Sequence, residues 1–172
     1  HYTNPKQALK SLLKKTMNGY ALVRIGSKGK SEEIVKAAVA DVEGKTVKII
    51  EYYQDYVGAD GKKVDINKIL NVEPSVPTLI LLKGKVRMGK RITKTHIKWV
   101  FEFGTGQKTD TLVQGLIGRL CGYDTRPDID IWIHQTHQKR GEIQKFVDMY
   151  ANDEREQQIF PARAMNLCAP RG

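Results

Sequence analysis

Residues 78–123 read TLILLKGKVRMGKRITKTHIKWVFEFGTGQKTDTLVQGLIGRLCGY, and the way this stretch is punctuated decides the fold. Two short apolar runs, Thr78 to Leu82 and Ile97 to Phe103, are bounded by Gly and Lys signals. That is the pattern of buried strands rather than of an amphipathic helix. The first strand feeds a basic, glycine-bearing loop over residues 83–91. The second feeds a polar loop over residues 104–109 and then a helix carrying Gln114, Gly118 and Arg119. Strands that each lead into a loop able to touch a ligand predict an α/β sheet with its site at the carboxyl ends of the strands.

The flanking sequence extends the same alternation. Asn4 is placed to cap a helix whose first residue is Pro5, with Ala8, Leu9, Leu12 and Leu13 on one face and Lys10, Lys14 and Lys15 facing away; Gly19 is read as its end. Residues 20–25 (YALVRI) form a short β-type run, followed by Gly26, Ser27 and Lys28 and by a helix from about Ser31. Residues 47–53 (VKIIEYY) predict a second strand, Asp60-Gly61 a turn, and residues 64–70 a short helix opened by Asp65. Beyond the central stretch, residues 128–134 (DIDIWIH) alternate as a further strand and residues 138–150 carry a helical apolar face. The expected organisation is one α/β domain over residues 1–150, mostly parallel with helices on both faces. Residues 151–172 form a tail expected to be poorly ordered or to dock on a missing part.

Composition narrows the class of partner. With 172 residues, 40% hydrophobic and 28% charged, the chain can bury a core and is not globally disordered. No apolar run approaches the roughly 20 residues needed to cross a bilayer, so no membrane partner is expected. The net charge of +10 favours a polyanion such as DNA or RNA. Cys121 and Cys168 are too few and too far apart for a disulfide framework or a metal cluster, and are read as reduced thiols in a cytoplasmic setting. The chain opens on His1 rather than Met and is read as a fragment.

Two stretches imitate a phosphate-binding loop. Residues 84–90 (GKVRMGK) have the spacing G-x-x-x-x-G-K after an apolar strand, but Arg91 follows where a Ser or Thr hydroxyl would ligate Mg²⁺. The β-branched residues that come next are also a poor opening for a phosphate-capping helix. Residues 104–109 (GTGQKT) lie between strand and helix, but Gln107 interrupts Gly-Lys and the first glycine is missing. They are read as a flexible loop with a capping Thr109 or Asp110. His96 and His134 lie in or beside strands with no partners at metal-ligand spacing, so no metal site is expected. Tyr52, Tyr53, Trp99 and Trp132 are read as sheet residues rather than base-stacking platforms.

The order of parts resembles the second RecA-like domain of superfamily-2 helicases and translocases. The strand from Thr78 entering a loop with Arg87-Met-Gly89 resembles the family's fifth motif, and Gln114-Gly-Leu-Ile-Gly118-Arg119 resembles its sixth. The chain departs from the family where Gln114 stands five rather than four residues before Arg119. It departs again at Gly122, where a second Arg is usual, and at Arg91, where an acidic residue is common. The resemblance implies ATP and Mg²⁺ shared with a missing N-terminal RecA-like domain of the same protein. Gly89, Gln114, Gly118 and Arg119 would face the nucleotide, with Arg119 as the catalytic arginine finger. Phosphoryl transfer needs fixed cations on phosphate oxygens, and the guanidinium is an always-charged, bidentate fork. Gly26, Ser27, Lys28, Lys83, Lys85, Arg87 and Lys90 would contact a nucleic-acid backbone, most simply that of a single strand. This chain alone would be half an enzyme, inactive by itself. The alternatives are a stand-alone basic nucleic-acid-binding module without a nucleotide role, and an adaptor that binds a protein through residues 160–172.

Overall fold

The computed structural model describes residues 1–26, 29–83, 91–103 and 129–135. Three helices and five strands appear in the order α1 (Pro5–Lys15), β1 (Tyr20–Arg24), α2 (Lys30–Ala40), β2 (Lys48–Tyr52), α3 (Ile66–Leu70), β3 (Thr78–Leu82), β4 (Ile97–Glu102) and β5 (Asp130–Trp132). The strands form one sheet in the order β2-β3-β1-β4-β5, and every pairing is parallel. The expected class, an α/β fold with a mostly parallel sheet and helices on both faces, is therefore the one found. The helices expected around Gln114 and over residues 138–150, and the tail at 151–172, lie outside the described residues.

Period-two alternation assigns the faces. Ala21, Val23, Leu79, Leu81, Trp99 and Phe101 join Leu9, Leu12 and Leu13 of α1 and Val35 and Ala38 of α2 in one core. Tyr20, Leu22, Ile80, Leu82 and Val100 join Ile66 and Leu70 of α3 in a second core on the opposite face. Strands β1 and β3 are near-continuous apolar runs because both of their faces are covered, as parallel sheets require. Each fully buried aliphatic side chain contributes roughly 1.5–3 kcal/mol. Exposed ion pairs such as Lys6–Asp41 sit in water that screens them, so burial holds this sheet together.

The helix ends follow local chemistry. Asn4 caps α1 by accepting from the Gln7 amide, with Pro5 at the first position, and Asp65 caps α3 by accepting from the Asn67 amide at 2.8 Å. The last turn of α1 departs from expectation, because the helix stops at Lys15, well before Gly19. The cause is tertiary. Lys45 donates its ammonium to the carbonyls of Leu13, Lys14 and Thr16, while the Trp99 indole donates to the Thr16 hydroxyl at 2.9 Å. Those bonds satisfy the orphan carbonyls at the helix end and turn the chain away. Helix α3 is bracketed by two tyrosines: Tyr52 Oη donates to the Val64 carbonyl at one end, and Tyr20 Oη donates to the Ile69 and Val72 carbonyls at the other. Because Tyr20 opens β1 and Tyr52 closes β2, these bonds place the start of α3 at the carboxyl edge of the sheet and its end at the amino edge.

Gly19 meets a steric constraint where β1 begins. Its φ is +99°, and a Cβ there would lie 2.6 Å from Lys98 Cγ and 3.0 Å from the His96 carbonyl oxygen. That carbonyl accepts from the Tyr20 amide at 2.8 Å, and the β1–β4 register slips at this point, so that Lys98 is the extra residue of a bulge. Gly19→Ala is expected to destabilise the fold by about 1–3 kcal/mol in denaturant titration. Lys98→Ala in that background should recover only part of the stability, because the left-handed backbone and the His96 contact remain. Full recovery would place the whole cost on the lysine side chain.

Candidate nucleic-acid interface at the carboxyl edge of the sheet

Strand order fixes where a ligand has room. From β1 the chain crosses to the edge strand β2, returns as β3 on one side of β1, and then places β4 on the other side. Strands β3 and β4 thus end on either side of β1, and open α/β sheets bind ligands outside the carboxyl ends of their strands. The register puts Arg24, Tyr52, Leu82 and Glu102 level with one another, so the residues after them share one edge.

Among the residues expected to contact nucleic acid, Gly26 and Lys83 lie on this edge, after β1 and β3 respectively. Gly26 donates its amide to the Ser31 hydroxyl at 3.0 Å, and a Cβ there would meet nothing nearer than that oxygen at 3.8 Å. Packing therefore does not require glycine at this position. The Lys83 ammonium stands 5.5 Å from the centre of the Tyr53 ring, a cation–π contact that holds the first cation of the basic loop over the end of β2. Tyr53 lies one residue past the end of β2 rather than in the expected strand; it is half-buried, and burial followed by the charge of Glu32 holds its hydroxyl protonated. Beside it, Lys36 bridges Glu32 at 2.9 Å and Glu51 at 2.8 Å; these hydrogen-bonded carboxylates raise the lysine above its ordinary value. Ser27, Lys28, Lys85, Arg87, Gly89, Lys90, Gln114, Gly118 and Arg119 lie outside the described residues.

The edge also holds a residue that has no place among the sequence-based candidates. Glu102, the last residue of β4, is 1% exposed. Alternation puts it on the same face as Arg24 of β1, whose Nε approaches Glu102 Oε2 at 3.4 Å, and neither carboxylate oxygen accepts a hydrogen bond among the described residues. Burial pushes its carboxyl up to about 7, and the Arg24 guanidinium opposes the shift. The backbone oxygen of Glu102 accepts from Tyr2 Oη, and Tyr2 stacks on Phe101 at 4.3 Å while meeting His134 edge-on at 5.3 Å. The amide and carbonyl of Tyr2 bond to Ile133 and Gln135, so the N-terminal residues lie alongside the chain just beyond β5. His134 thus packs against the Tyr2 ring. An ionisable residue ending an apolar strand, the Glu in WVFEF, was the sequence signal available for Glu102.

Among the described residues no group of three or more His, Cys, Asp or Glu side chains could hold a metal ion, and no helix is long and apolar enough to cross a membrane. No protein-family model and no solved structure matches the chain. Over 105 residues it is 29% identical to a protein of Acanthamoeba polyphaga mimivirus named "Uncharacterized protein L594". The match covers 60% of this chain and 26% of that protein, so the chain spans about a quarter of the length of the curated relative it matches.

Glu102 makes stability depend on pH in a defined direction. Its folded value, about 7, lies above the ordinary 4.5. Stability is therefore full below the ordinary value, falls as the unfolded chain alone releases its proton, and levels off once pH passes the folded value. Glu102→Gln should remove this slope and stabilise the protein more at pH 8 than at pH 5, by a difference on the order of 1–3 kcal/mol. Denaturant titrations of both proteins at the two pH values measure it. An equal effect at both pH values would mean that the buried carboxylate stays charged.

Proposed function

We propose that this chain is the second, C-terminal RecA-like motor domain of an ATP-dependent superfamily-2 helicase or translocase, working in the cytoplasm on DNA or RNA. What supports the reading is the adjacency of β3, β1 and β4 in an all-parallel sheet. That adjacency brings Gly26 after β1, Lys83 after β3 and Phe103 after β4 to one edge, and in the sequence these residues lead into the three stretches that carry the motifs. A polyanionic ligand at this edge would meet Gly26 and Lys83, the described members of the candidate set. The net charge of +10 adds a long-range attraction for such a ligand.

The division of labour follows from residue chemistry. Lys83, Lys85, Arg87 and Lys90, with Gly26, Ser27 and Lys28, bind phosphates of the strand backbone. A donor set of cations and amides fits phosphate oxygens and not a divalent ion, so Mg²⁺ and the cradle of ATP belong to an N-terminal RecA-like domain of the same protein. Arg119 would project its planar fork across the domain cleft to phosphate oxygens, with Gly118 allowing close approach and Gly89 and Gln114 lining the same cleft. Its charge stabilises the transition state more than the bound ground state.

Two measurements test the reading. In the two-domain protein, Arg119→Ala should lower ATP turnover by about 10³–10⁵ with nucleotide affinity within a modest factor, and Arg119→Lys should rescue it poorly. Near-wild-type kcat with an unchanged melting temperature would remove the finger. For the strand contacts, salt titrations of single-stranded oligonucleotide binding compare the wild-type chain with Lys85→Ala/Arg87→Ala/Lys90→Ala. The slope of log affinity against log salt should flatten by about 0.7 for every phosphate that the variant no longer neutralises. An unchanged slope would detach this loop from the backbone. A flattened slope in a protein that turns over no ATP would leave a stand-alone basic nucleic-acid-binding module.

A further inference from the structure

Arg91, where the basic stretch ends, is exposed and carries an unusual anchor. Asn67, in the first turn of α3, donates its side-chain amide to the Arg91 carbonyl at 3.0 Å and accepts the Thr93 amide on its oxygen at 2.8 Å. A residue in a parallel strand engages its neighbour in the same way, bonding to a carbonyl and an amide that flank one opposing residue. The Asn67 side chain thus stands in for a strand opposite Ile92. Ile92 is 5% exposed and packs in the core formed by Leu82, Val100, Ile66 and Leu70. Asn67 is itself fixed, because its own amide is capped by Asp65 and α3 is pinned by Tyr20 and Tyr52.

The chain at residues 91–93 is therefore held by a side-chain clamp on one residue pair and a buried plug between them, beside an outward-facing arginine. Nothing in the local sequence of α3 requires an asparagine at this point, since Asp65 already caps the helix. A flexible cation gains little from a phosphate because ordering it costs entropy; one with a fixed backbone loses less. Resting on the nucleic-acid reading above, we infer that Asn67 is a positioning residue that holds Arg91 as a pre-organised phosphate contact for a single-stranded nucleic acid. The face of α3 that packs under the sheet is thereby coupled to strand binding.

A double-mutant cycle on the whole chain, with a single-stranded oligonucleotide as probe, tests the inference. Arg91→Ala changes an exposed side chain and should fold normally, weaken binding about fivefold at low salt, and flatten the salt slope by about 0.7. Asn67→Ala should weaken binding by a similar factor in the wild-type background and by almost nothing in the Arg91→Ala background, because it acts through that arginine. Equal effects in both backgrounds, or an unchanged slope for Arg91→Ala, would overturn the positioning role. Tryptic cleavage after Arg91 reads the clamp without nucleic acid. Removing its two hydrogen bonds should speed cleavage there about fivefold or more while the melting temperature stays close to wild type. Unaltered cleavage would overturn the clamp. Failure of the wild-type chain to bind any single strand, with cleavage accelerated as expected, would instead overturn the nucleic-acid reading and leave the clamp standing.

Discussion

Strand β1 is enclosed on every side: β3 and β4 take its two edges, and separate cores cover its two faces. Leu22 and Val23 are fully buried. A strand so placed cannot shift register without driving its whole set of apolar side chains into the wrong core. Its neighbours in the sheet are both parallel to it, and each must be reached by a crossover. The chain therefore has to place α2 and α3 outside the sheet and bring each new strand back in the same direction. The common carboxyl edge, with Gly26 and Lys83 on it, follows from that constraint.

At this edge the fold changes from apolar to charged within a residue or two. Lys83 follows the fully buried Leu82, and Arg24 follows Val23. Glu102 marks the limit of the transition, a carboxylate caught just inside the core, with Arg24 offsetting part of its desolvation. A buried carboxylate is expensive, and its raised pKa is the expression of that cost. Lys83 shows the opposite solution. Its ammonium is directed onto the face of Tyr53, where it can keep water while its position is restrained.

Anchoring of the edge comes from long-range polar contacts rather than from the loops themselves. Tyr20 and Tyr52 bracket α3, Asn67 ties α3 to residues 91–93, and Tyr2 ties the N-terminal residues to β4 and to the chain beyond β5. Each uses a side-chain donor or acceptor to satisfy a backbone group that would otherwise lack a partner outside the sheet ladder. Such contacts restrain connecting segments without extending the sheet.

Most of the described elements were legible in the sequence. Thr78–Leu82 has the bounds expected, because a β-branched Thr and four apolar residues between Pro77 and Lys83 read as a short buried strand. The caps at Asn4 and Asp65 and the turn at Asp60-Gly61 were equally local, and local chemistry decides them. The end of α1 was not legible, since Lys45 and Trp99, which terminate it, are distant in sequence. Strand order was also beyond reach, because alternation identifies a strand but not its neighbours. Of the candidate site, the sequence by itself determined the kinds of group available: a run of cations after one strand, and Gln, Gly and Arg after another. Only the tertiary structure decided that Gly26 and Lys83 leave from one edge, that Glu102 is buried against Arg24, and that Asn67 holds Arg91. Those facts depend on which parallel strands pair and on contacts between residues far apart in the chain, and no local periodicity carries that information.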